Sequence, residues 1–381
     1  MTGPLKGLRI IEFAGLGPGP FACMMLADHG AEVIRIERPG GTRGGPESDA
    51  ASDILLRSRK RIAVDLKSET GVSVLRDLIA TADGLVEGFR PGVMERLGLG
   101  PDEMLCVNPR LVYGRMTGWG QTGPYAPMAG HDINYIALSG ALHAFGRKGE
   151  KPTPPINMVG DFGGGAMMLA FGMVSALLNV QRGGEGTVID AAMTDGSALL
   201  MAMIYSFQGQ GWWRDERGVN MLDTGAHFYD VYETKDKKFV SIGAIEPQFY
   251  AQLLALAGLR DDTEMYPQND PEKWDMMREK LANVIITKTR SEWDALMVGK
   301  DACYAPVLSL TEAPEHPHNQ ARNTFIRYDG VVQPAPAPRY STLGTTVPTM
   351  SDGRTHTAEI LADLGYGEDK IKRTLTEGGV S

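Results

Sequence analysis

Cysteine is nearly missing from this chain: three in 381 residues, Cys23, Cys106 and Cys303, far apart and without a CxxC pair. That excludes a disulfide framework and a thiolate metal centre, and it points to a reducing, cytoplasmic setting. Net positive charge is also lacking. The formal charge is −9, which argues against nucleic acid or an anionic membrane surface as a general partner. No GxSxG elbow, HExxH pair, Walker A loop or EF-hand loop occurs. The N-terminal stretch is interrupted by Lys6, Arg9 and Glu12, so no signal-peptide core is visible. The C-terminal Gly-Gly-Val-Ser is not a peroxisomal SKL-type address. One segment resembles a membrane span, the uncharged run Phe162 to Val180. Its glycines, with Asp161 at its mouth, favour a buried central helix over a membrane span.

What is present is globular: 43% hydrophobic and 22% charged residues, enough chain for two or three domains. The first forty residues read as β-α-β. Leu8–Phe13 is an apolar strand, Phe21–His29 a helix and Glu32–Glu37 a second strand. A strand at 62–66, a helix at 69–81 and further strands at 84–87 and 111–116 continue the pattern. Alternation of this kind implies parallel strands with helical crossovers, hence an α/β, Rossmann-like doubly wound sheet domain. After Asp190 the pattern changes. Strands at 228–232 and 238–242 flank a Thr-Lys-Asp-Lys turn, and helices at 247–258, 271–287 and 291–299 complete a smaller α+β domain. The expected division is a large domain over 1–192, a linker over 193–222, a small domain over 223–314, a linker over 315–334 and a C-terminal segment, 335–381, that returns to the large domain.

Several segments carry candidate chemistry, each beside a plainer explanation. Gly15-Leu16-Gly17-Pro18-Gly19-Pro20, with Glu37 ending the next strand, is reminiscent of a dinucleotide fingerprint. Pro18 and Pro20 lack the N–H groups that cradle a pyrophosphate, so a tight strand-to-helix turn is the better reading, and an NAD-dependent oxidoreductase the weaker. The run Arg57-Ser58-Arg59-Lys60-Arg61, with Arg38 and Arg90, is either an anion site at a strand end or a solvated charge run. Gly130-His131-Asp132-Ile133-Asn134-Tyr135 places a histidine at a helix start, where free N–H groups can hold an oxyanion or Asp132 can simply cap. In Gly160-Asp161-Phe162-Gly163-Gly164-Gly165 and in Glu246-Pro247 a carboxylate likewise precedes a helix.

Taken together, the stretches LGPGPF (16–21), RPG (38–40), FRPGVMERL (89–97), TGWGQTGPY (117–125), GHDINY (130–135), GDFGGG (160–165) and HTAEILADLGYG (356–367) resemble the family III CoA-transferases. GHDINY and GAIEPQFY (243–250) are similar to the α-methylacyl-CoA racemase branch. The resemblance spans essentially the whole chain. It implies 1,1-proton transfer at the α-carbon of a 2-methylacyl-CoA thioester, with His131 and Asp161 as acid/bases on opposite faces and Glu246 bonding the histidine. It further implies CoA binding by Arg38, Val64, Asp65, Leu66, Lys67 and the segment Gly130, Asp132, Ile133, Asn134 and Tyr135. Arg57, Arg61 and Arg90 would then meet the nucleotide phosphates. CoA is part of the substrate, no cofactor or metal is implied, and an interlocked homodimer is. The Met-rich segments 167–173 and 193–203 are candidates for an acyl surface, though core packing is the commoner use. Within the family the alternative is CoA transfer with Asp161 as nucleophile. A non-catalytic acyl-CoA binding protein is a further one.

Overall fold

The computed structural model describes residues 2–40, 53–328, 330–350 and 355–381. The chain divides into two compact units: residues 1–139, 156–200 and 323–381 form the first, and residues 140–155 and 201–322 the second. Elements are numbered along the chain through both units.

The first unit is built on six parallel strands, β1 (Arg9–Phe13), β2 (Glu32–Glu37), β3 (Arg59–Ala63), β4 (Gly84–Glu87), β5 (Val112–Thr117) and β6 (Thr187–Ala192), in the order β3-β2-β1-β4-β5-β6. This is the doubly wound α/β architecture, with its topological switch between β1 and β4. Alternation along each strand sends side chains to two separate cores. Ile11, Phe13, Ile34 and Ile36 pack against α2 (Glu69–Ala80) and its neighbours, the short helices α3 (Val93–Arg96) and α4 (Pro101–Val107). Ile10 and Val33 face the other way, onto α1 (Pro18–Asp28) and α7 (Met167–Gln181). Between them lie α5 (Asp132–Leu138) and a π-helical stretch, Met158–Ala166, which runs directly into α7. The two make the one helical segment among the described residues that is long and apolar enough to cross a membrane, Met158–Gln181. Here its inner face packs on β5, β6, α1 and α8 (Met193–Leu200).

The third strand starts three residues earlier than the sequence suggests, so Arg59, Lys60 and Arg61 lie within β3 rather than before it. Carboxylates on adjoining strands make this possible. Glu12 on β1, fully buried, accepts from Arg59 (2.9 Å) and from Arg35 of β2. Glu37 holds Arg61 (2.7 Å), and Glu32 holds Lys60 on the opposite face (2.8 Å). The C-terminal segment returns to this edge. The hairpin β10 (Phe325–Tyr328) and β11 (Val331–Pro334) meets Arg57 through Gln333, and Ser381 exchanges backbone hydrogen bonds with Ala63 after α14 (Thr357–Asp363) and α15 (Glu368–Glu377).

The second unit holds α6 (Ala141–Ala144), α9 (Ala202–Gly209) and an antiparallel sheet of β7 (Tyr229–Glu233), β8 (Phe239–Gly243) and β9 (Tyr304–Val307). Helices α10 (Pro247–Ala257), α11 (Trp274–Ile285) and α12 (Arg290–Met297) cover a core of Phe228, Tyr250, Leu253, Leu281 and Trp293, and α13 (Pro317–Ala321) ends the unit. The sequence pattern gives no sign of strands β6 and β9, nor of the excursion of 140–155 into this unit.

Candidate active site

Parallel strands all end on one side of the sheet, and the divergence of chain directions at the switch point opens a crevice there. A cavity of about 1030 Å³ occupies that place. It is lined by the turn after β1 (Gly15, Leu16, Gly17), by Arg38 and Pro39 after β2, by Val64–Lys67 after β3 and by Phe89 after β4. Arg38 and Lys67 are exposed and hold no carboxylate among the described residues. Arg61 also lines the cavity, but its guanidinium grips both oxygens of Glu37.

Arg57 does not fit the part expected of it. It is 2% exposed, and its guanidinium is engaged by both Asp28 oxygens, Gln333 and the Pro334 carbonyl. This side chain fastens the C-terminal segment to α1 and has no place in the cavity lining. Among the described residues, the cavity-lining cations without an ion pair are therefore Arg38 and Lys67. Arg90, exposed just beyond β4, acts electrostatically on Tyr135.

Gly17 links the cavity to the acid/base candidates. With φ of +66° it caps α1 in a backbone region open chiefly to glycine, and a Cβ there would stand 3.1 Å from the Asp161 carboxylate. Asp161 sits in the π-helical stretch, half-buried, its Oδ2 accepting from the Asn157 amide at 3.2 Å. Burial raises its proton affinity, and nearby Asp132 adds to this; Asn157 and His131 act in the opposite direction. His131, exposed, is the N-cap of α5 and donates its N–H to Asn134 at 3.1 Å. Asp132, the first residue of that helix, is buried and accepts the Asp161 N–H at 2.7 Å. Tyr135 is buried one turn on, its hydroxyl bonded to the Gly130 carbonyl and its ring edge-on to Trp119; Ile133 is exposed.

The structure thus gathers His131, Asp132, Tyr135 and Asp161 in one place, with Gly17 of the Gly-Pro turn and with Asn157, which the sequence did not single out. Asn157 lies four residues before Asp161, at helical spacing, which was the one available signal. Glu246 is in the second unit, exposed, as the N-cap of α10. Met173 and Met193 are core residues, whereas Met167 is 44% exposed. Among the described residues no group of three or more His, Cys, Asp or Glu is placed to hold a metal ion.

A cavity at the switch point of a doubly wound sheet, with the carboxyl of Asp161 against Gly17 of its wall and His131 near enough to act on that carboxyl, is an arrangement suited to acid/base or acyl chemistry. Residues 5–357 match CoA-transferase family III, and the chain belongs to that family. It is 45% identical to alpha-methylacyl-CoA racemase of Mus musculus and 43% identical to that of Homo sapiens, in each case over 96% of this chain and 95% of the relative. A CAIB/BAIF family protein from Brucella suis has the same fold, with a TM-score of 0.81 over 96% of this chain and all of that one, at 24% identity.

Proposed function

We propose that this enzyme, an isomerase like the racemases it matches over nearly its whole length, inverts the α-carbon of 2-methylacyl-CoA thioesters by proton transfer through an enolate. The observation that carries the reading is the pairing of Asp161, its proton affinity raised by burial, with the neighbouring imidazole of His131. One group removes the α-proton from one face, and the other returns a proton to the opposite face. Each then holds the other's starting protonation state, so the two enantiomers are handled in mirror sense. A carboxyl raised toward neutrality can serve both as acid and as base, which an ordinary exposed aspartate does poorly. The thioester carbonyl itself acidifies the α-C–H, so the reaction as proposed needs no cofactor. The Asp132 N–H, in the first turn of α5, is the donor for the enolate oxygen.

Arg38 and Lys67 meet CoA phosphates at the cavity, with Val64–Leu66 lining its wall. Glu246 bonds His131 across a homodimer and fixes its tautomer. The exposed apolar stripe Met167, Phe171, Val174 and Leu178, at helical spacing along α7, supports a second copy as its cover.

The test is α-proton exchange. One enantiomer of a 2-methylacyl-CoA in D₂O should gain deuterium at C2 and lose chirality, and Asp161→Ala should abolish both. CoA passing to an added free acid without deuterium uptake would instead make Asp161 a nucleophile and the chain a transferase. Neither reaction would leave a binding protein.

A further inference from the structure

The backbone N–H groups opening a helical stretch have no partner within it, and a π-helix, bonding five residues back, leaves more of them than an α-helix. Asp161 is the fourth residue of the stretch Met158–Ala166, so its N–H needs an acceptor from elsewhere. Asp132 Oδ1 supplies it at 2.7 Å, from 29 residues upstream. His131 immediately precedes Asp132. One peptide linkage, one side chain and one hydrogen bond therefore connect the two acid/base residues. Gly160 admits the contact: a Cβ there would fall 2.4 Å from Asp132 Oδ1 and 2.8 Å from Cγ.

The second oxygen is unexpected. Asp132 is 6% exposed, and its Oδ2 is buried without a hydrogen-bond partner among the described residues. A lone buried carboxylate oxygen costs free energy, while asparagine would accept the same N–H without the charge. The charge itself therefore calls for a use, and the nearby carboxyl of Asp161 provides one.

We propose that the Asp132 side chain is a positioning residue, the strut that holds Asp161 in register with His131 and sets a second negative charge beside it. The inference rests on the racemase reading above. The charge acts on Asp161 in the same sense as burial, favouring the protonated carboxyl, and His131 and Asn157 oppose it. Other titratable groups on the elements packed against this stretch are Tyr135 on α5, Cys23 and Asp28 on α1, Asp195 on α8, Tyr113 and Arg115 on β5, and Asp190 on β6; α7 carries none.

Two variants separate strut from charge. Asp132→Asn keeps the acceptor and removes the charge. The Asp161 carboxyl, followed by ¹³C NMR without substrate, should then titrate at lower pH than in the wild type, and the acidic limb of kcat/KM should move with it. Asp132→Ala removes both, and kcat should fall roughly 100-fold, the cost of about an ångström of misplacement, with KM unchanged. Should that variant not fold, Asp132→Ser, with a shorter acceptor, carries the same comparison. An Asp161 titration that stays in place in Asp132→Asn, or an alanine or serine variant with wild-type kcat, overturns the proposal. Failure of the racemase reading looks different: the wild type would show no α-proton exchange, while the NMR titration would still report whether the two carboxylates are coupled.

Discussion

Replacing Glu12 by leucine should weaken the fold more than almost any other single change in the first unit. The side chain is fully buried on β1 and neutralises two guanidiniums that are themselves nearly inaccessible, Arg35 and Arg59. Leucine fills a similar volume but leaves both cations without that partner. Removing one member of a buried pair typically costs about 3–5 kcal/mol. The lower end applies here. Arg35 keeps Glu37 at 3.2 Å, and Arg59 keeps the carbonyls of Arg57 and Pro20 at 2.8 and 2.6 Å. A loss of about 3 kcal/mol corresponds to a drop in Tm of roughly 6–12 °C for a unit of this size. Calorimetry and urea unfolding both read it. Replacing Glu12, Arg35 and Arg59 together by leucine and methionines should recover most of the loss, because the penalty lies in the orphaned charges rather than in the missing attraction. Activity should fall in the single variant as well, since Pro20 belongs to the turn that seats Gly17 against Asp161. A Glu12→Leu protein within about 1 kcal/mol of wild type would refute this account of the sheet's interior.

Three further outcomes are expected. Gly17→Ala places a methyl group 3.1 Å from the Asp161 carboxylate on a backbone with φ of +66°; it should cost about 1–2 kcal/mol of stability and lower kcat, and unaltered kcat would show that the turn does not press on the acid. Arg38→Met and Lys67→Met should each weaken binding of a CoA ester about tenfold or more and flatten its salt dependence, whereas Arg57→Met should leave affinity alone and lower Tm. In the second unit His227 is fully enclosed, its Nε2 against the Tyr250 hydroxyl, and burial pushes its pKa down to about 3, with Arg278 adding to this. The unfolded chain takes up that proton near pH 6.5 and the folded one does not. Stability should therefore be intact above pH 6.5 and fall toward pH 3 by on the order of 1.4 kcal/mol per unit. His227→Gln should flatten that slope in pH-dependent unfolding; an unchanged slope would assign the acid sensitivity to other groups.

What could be read locally was read from periodicity and punctuation. Apolar alternation located β1, β2, β4 and β5 to within a residue or so, the Gly-Pro turn after β1 announced a crossover, and the segments around His131, Asp161 and Glu246 each showed a polar group at a helix start. Such signals need only neighbouring residues, so the sequence by itself determined the doubly wound sheet; locally His131, Asp161 and Glu246 read equally as helix caps, and their acid/base candidacy came from the resemblance to the family III CoA-transferases. The rest depended on partners far along the chain. Arg59 and Arg61 can sit inside a strand because Glu12 and Glu37 neutralise them from β1 and β2, 47 and 24 residues away. Arg57, which by composition could equally have met a phosphate, is held by Asp28 and Gln333, the latter 276 residues distant. The tie between Asp132 and Asp161 exists because a π-helical opening left an N–H within reach of another helix's first carboxylate. Charge compensation and hydrogen-bond satisfaction are pairwise and non-local, so only the tertiary structure decided which cations face the cavity and which merely hold the sheet together.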